Sequence, residues 1–154
     1  METAILQALA AQRPGIRTAW ETLLRLERPS SPLANPDTLV HLLDRSLDEI
    51  FKDLALWSPR AHPRSYVPHC PCGLNPWLAY LGAGRQALRE ALVGAQAAMP
   101  GPGHTARDEA LTCLEQVLDH MARREIESFC ALCQSRPGAH AHPAPAGPAH
   151  HAHP

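Results

Sequence analysis

The sequence predicts an all-α protein, an antiparallel (up-down) four-helix bundle with a long proline-rich loop between its second and third helices and a disordered C-terminal tail. Three observations point there. Hydrophobic residues make up 45% of the chain but aromatics only 5%, and Leu and Ala outnumber Val and Ile, a balance that suits helices better than sheets. Apolar residues recur at helical rather than alternating spacing. The stretches between these segments are rich in proline, which ends helices. At 154 residues the chain is long enough for one core. The expected division is a bundle over 1–135 and a tail over 136–154.

The first helical segment covers roughly Thr3 to Glu27, with Ile5, Leu6, Leu9, Ile16, Trp20, Leu23 and Leu24 along its apolar side. Pro14-Gly15 should kink or split it. The second opens at "NPDTL": Asn35 can cap, Pro36 sits where a missing N–H costs nothing, and Asp37 complements the helix dipole. Leu39, Leu42, Leu43, Leu47, Ile50, Phe51 and Leu54 then follow at helical spacing until Ser58-Pro59. Asn75-Pro76 repeats the start signal for the third, which carries Leu78, Leu81, Leu88, Ala91, Leu92 and Ala95 towards Met99. The fourth is expected to start at Thr105, with Asp108 completing a capping box, and to reach about Cys133. Short joints favour antiparallel neighbours. The 58–74 joint is long for a bundle, and such loops are usually functional or tied down.

A formal charge of -1 gives no electrostatic case for nucleic acid. No stretch reaches the ~18–20 apolar residues of a membrane span, and the first residues lack the basic and apolar regions of a signal peptide. A cytoplasmic protein is expected. There, five cysteines read as metal ligands or free thiols before disulfides.

Four of them fall in two pairs, Cys70 and Cys72 in "HCPCGLNPW" and Cys130 and Cys133 in "FCALCQ". On a helix, i and i+3 share a face, and in an extended segment i and i+2 share a side, so each pair can offer two sulfurs in one direction. Folding the chain about the "PGPG" at 100–103 places residue n opposite residue 203 − n. Cys70 then lies opposite Cys133, and Cys72 opposite Ala131, beside Cys130. Four converging thiolates make a Cys₄ site, with Zn²⁺ the first candidate and an iron–sulfur cluster the alternative. His69 could replace a thiolate or orient one. Cys113 lies 17 residues before Cys130, hence ~25 Å away along a helix, and is expected in the core.

The other polar groupings are weaker. His140, His142, His150, His151 and His153 could collect Ni²⁺, Cu²⁺ or Zn²⁺, although Ala/Pro/His low complexity also arises without selection. His41, Asp44 and Asp48 can share one face of the second helix, and Asp119 and His120 lie on the fourth. Neither set has the paired Glu-x-x-His of a di-metal bundle. "PRAHPRSY" offers an anion contact. There is no Walker A, GxSxG or HExxH motif.

A closed Cys₄ zinc leaves no open position for water, so the expected class is a non-enzymatic regulatory or interaction module, metal- or redox-responsive. Such a module implies a protein partner, which the pattern does not identify, and the pattern specifies no oligomeric state. The alternatives are a metal-handling protein using its histidine tail and an iron–sulfur sensor or electron-transfer protein. An enzyme would need His69 beside an open coordination position, or a pocket lined by His41 and His120.

Overall fold

The computed structural model describes residues 1–26, 28–29, 32–57, 67–71, 73–101 and 103–134, the last without its side chain. Among them every regular element is helical. The order is α1 (Thr3–Ala11), α2 (Arg13–Leu26), a 3₁₀ turn (Pro32–Ala34), α3 (Pro36–Leu39), a second 3₁₀ turn (Val40–Leu42), α4 (Leu43–Leu56), α5 (Pro76–Ala97) and α6 (His104–Gln134). The expected tail, the "PRAHPRSY" stretch and Cys72 lie outside the described residues. No described helix is long and apolar enough to cross a membrane.

The first segment splits, and the split falls at Gln12 rather than at Pro14-Gly15. Pro14 has no N–H to continue α1 and its ring would collide with the carbonyl four residues back. The ladder therefore tightens two residues earlier, where the Gln12 N–H bonds the Leu9 carbonyl at 3.0 Å. The Gln12 carbonyl then accepts the Ile16 N–H at 2.9 Å, which starts α2 and leaves Pro14 in its first turn, where proline is tolerated.

Both Asn-Pro starts act as expected: Asn35 Oδ1 accepts the Asp37 N–H and Asn75 Oδ1 the Trp77 N–H, each at 3.0 Å. The start of α6 differs from expectation. Gly103 supplies the first carbonyl, to the Arg107 N–H at 3.2 Å, so Thr105 already lies inside the helix and is not its cap. Arg107 closes the turn behind it, donating to the Met99 carbonyl and accepting from Gln96 Nε2.

Polar pairs fix the helix directions. Arg13 reaches Asp48, Arg17 reaches Asp44 and Arg25 reaches Asp37, so α2 and the α3–α4 arm are antiparallel. Arg124 meets Glu49 and Gln116 accepts from Trp57 Nε1, so α4 and α6 are antiparallel. Arg85 pairs with Glu115 and Asp119, and Gln96 with Arg107, so α5 and α6 are antiparallel too. It follows that α4 and α5 run in the same direction. Helix α5 packs on α1, α2 and α6, and α4 on α1, α2 and α6, so these two face each other across the core.

This departs from a simple up-down succession, and the departure accounts for the long joint. Trp57 stands level with Gln116, whereas Asn75 stands level with Ile126 and Cys130. The connection must return the chain by ten to fourteen helical residues, ~15–20 Å, before α5 can begin. A short turn cannot do that.

The core is built around Trp20 and Tyr80, both fully buried. Trp20 Nε1 donates to the Tyr80 carbonyl at 2.8 Å and the Tyr80 hydroxyl donates to Ser46 Oγ at 2.9 Å. Ile5, Leu9, Leu43, Leu47, Ile50, Leu88, Leu92, Leu114 and Val117 surround them without exposure.

Candidate metal centre

The end of the bundle where α5 starts and α6 finishes is organised by Asn75, which is 1% exposed. Its Oδ1 caps α5, and its Nδ2 donates to the Ile126 carbonyl at 3.2 Å and to Cys130 Sγ at 3.5 Å. One side chain thus begins one helix, binds the backbone of another and touches a cysteine. From the sequence Asn75 is only a helix start. The further signal is its level: by the 203 − n rule it lies opposite residue 128, between the partners it finds.

The segment before it turns sharply. The Gly73 N–H bonds the Cys70 carbonyl at 3.2 Å and Gly73 adopts φ +66°, a left-handed conformation that glycine alone takes without strain. The Cys70–Gly73 bond thus closes a reverse turn with Pro71 at its second position, where an extended stretch was expected.

The turn presents Cys70, which is 7% exposed, to α6. Its sulfur lies 3.2 Å from Cys130 Sγ, although the two residues are 60 positions apart. The edge of a tetrahedron built on ~2.3 Å zinc–sulfur bonds is about 3.8 Å, so a small spreading of this pair would seat both on one ion. Cys133 follows one helical turn beyond Cys130 and is half-buried. Burial pushes the Cys130 thiol above its usual range. The neighbouring Cys70 and Cys133 sulfurs push the same way, and the Asn75 donor opposes them.

Cys70 and Cys130 are thus brought together with Cys133 beside them, and Cys72 lies outside the described residues. His69 is exposed. Among the described residues no group of three or more His, Cys, Asp or Glu side chains is arranged to hold a metal. Cys113 sits in the core with no exposure, its thiol pushed up by burial and its sulfur 4.0 Å from the Met1 amino group.

The remaining candidates have structural partners. Asp44 and Asp48 bind Arg17 and Arg13, Asp119 binds Arg85, and the His120 ring lies 5.4 Å from that of Trp57. Glu49–Arg124 and Trp57–Gln116 place His120 level with residue 53, about twelve residues or ~18 Å from His41, so those histidines do not line one pocket. No family model matches the chain, and neither a curated protein nor a solved structure is significantly similar to it.

Proposed function

We propose that this chain is a small metal-binding helical module of the regulatory or interaction type. Zinc held by Cys70, Cys72, Cys130 and Cys133 ties the last turns of α6 to the segment that leads into α5. The observation that carries the reading is the 3.2 Å approach of Cys70 and Cys130 across 60 residues, beside a third cysteine one turn away. In the cytoplasm such sulfurs stay reduced and available to a metal. With all four donors protein-derived the ion does no Lewis-acid work. It fixes a helix end, and a partner would recognise the surface so fixed.

Elemental analysis with an optical spectrum, on anaerobically purified full chain and on a version ending at Gln134, tests this. About one zinc per chain in both, without colour, supports the staple. Iron with visible absorption replaces it by an iron–sulfur centre. Metal lost with residues 135–154 moves the function to the histidine tail. A Cys72→Ser, Cys130→Ser double variant that binds metal and melts like the parent sinks the staple outright.

A further inference from the structure

We infer that Cys70 and Cys130 form a reversible disulfide when no metal occupies the site, with a small disulfide of the glutathione class as oxidant. The inference stands on the geometry of the pair and does not require the zinc reading. The sulfurs are 3.2 Å apart and a disulfide bond is ~2.05 Å, so about 1 Å of approach separates contact from bond. Cys70 belongs to no helix, so that approach needs side-chain rotation and a small shift of a turn rather than displacement of α6. Asn75 holds the two segments at this distance through its bonds to Ile126 and Cys130. Cys113, buried in the core, is out of reach of both.

Exposure sets the order of events. Cys130, the more accessible of the two, attacks one sulfur of the oxidant as its thiolate. A mixed disulfide forms on Cys130, and the oxidant's S–S bond breaks to release one small thiolate. Cys70, buried behind it, then attacks Cys130 Sγ. The Cys70–Cys130 bond forms, the mixed disulfide breaks, and the second small thiolate leaves. The two protons given up by the protein thiols are taken by the two small thiolates, and two electrons pass from the protein to the oxidant.

The product keeps the turn fastened to α6 but removes two thiolate donors. Oxidation therefore exchanges one tie for another instead of opening the end of the bundle, and a metal held there would be released without loss of the fold.

The test uses the full chain, stripped of metal with EDTA and equilibrated without oxygen across a series of reduced-to-oxidised glutathione ratios. Acid quenching, alkylation and peptide mass mapping follow. The expected result is the loss of two alkylatable thiols, a dominant cross-linked peptide pair containing Cys70 and Cys130, and unchanged helical circular dichroism. Half-oxidation should require at least tenfold less oxidised glutathione than for the same chain in denaturant. A dominant Cys130–Cys133 or Cys72-containing link, persistent glutathione adducts, or the same midpoint folded and unfolded would overturn the inference. A Cys72→Ser, Cys133→Ser variant should still form the bond. Failure of the zinc reading shows separately, as absence of zinc from the reduced chain.

Discussion

Gly84 shows how much a single missing Cβ can decide. Trp20 lies across α5 with its indole N–H on the Tyr80 carbonyl, and a methyl group at position 84 would sit 2.5 Å from Trp20 Cε2, far inside contact. A fully buried indole has nowhere to retreat. Gly82, one turn-face away, has nothing within 4 Å of its Cβ position. Opposite outcomes are therefore expected from two chemically identical changes. Gly84→Ala should destabilise by about 2–3 kcal/mol through overpacking, even after the gain in helix propensity. Gly82→Ala should stabilise by about 0.5–1 kcal/mol, the ordinary gain of alanine in an exposed helical position. Urea midpoints of the two variants check this, and a loss of stability in both, or in neither, contradicts the packing. The sequence "YLGAGRQ" marks two glycines in α5 without saying which one carries the indole, because that depends on the level at which α2 crosses it.

At the scale of elements, helix starts were the most legible feature, because capping is local chemistry. Asn35-Pro36 and Asn75-Pro76 both read correctly. Thr105 did not, because the backbone carbonyl of Gly103 had already begun α6. The level of Cys70 against α6 was legible only to within a helical turn: counting places it opposite Cys133, whereas its sulfur meets Cys130, because the segment before α5 is not helical and does not keep the helical rise. The shape of "CPCG" was not: the Cys70–Gly73 bond and the positive φ of Gly73 turn what an i, i+2 pattern suggests is extended. Asn35 and Asn75 separate capping from what else a cap can do. Asparagine and aspartate cap equally well, so Asn35→Asp, at an exposed start, should change stability by less than about 0.5 kcal/mol. Asn75→Asp keeps the cap on Trp77 but replaces the Nδ2 donor with an acceptor facing the Ile126 carbonyl and Cys130 Sγ. In a position 1% exposed, that should cost about 2 kcal/mol or more. Equal midpoints for the two aspartate variants would show that Asn75 does no more than cap.

For the whole molecule, composition and periodicity gave the helical class, but the path of the chain was beyond them. Amphipathic stripes state that helices pack, not which helix is opposite which, so the length of the 58–74 joint reads from sequence as a functional or tied-down loop, whereas the parallel run of α4 and α5 itself demands it. A polar contact across that diagonal is the Tyr80 hydroxyl on Ser46 Oγ at 2.9 Å, in a fully buried phenol. Burial is the main cause that pushes Tyr80 up to about 12, with Asp44 adding slightly and the Ser46 bond opposing. An unfolded tyrosine loses its proton near pH ~10. The folded chain therefore retains a proton that the unfolded chain has lost, and this contribution to stability is complete below about pH 10 and disappears as pH rises through about 12. A two-unit difference corresponds to at most about 3 kcal/mol. Tyr80→Phe removes this dependence but leaves the 8%-exposed Ser46 hydroxyl without its donor, at a cost of about 1–2 kcal/mol. The parent should thus be the more stable protein near neutrality and the variant the more stable one well above pH ~11, where the unfolded parent gains more from releasing its phenolic proton than the folded one does. Urea unfolding of both proteins along a pH series gives the difference curve, in which the thiols and other alkaline groups cancel. A difference that stays flat to high pH would mean that Tyr80 titrates freely, and hence that α4 and α5 do not close over it.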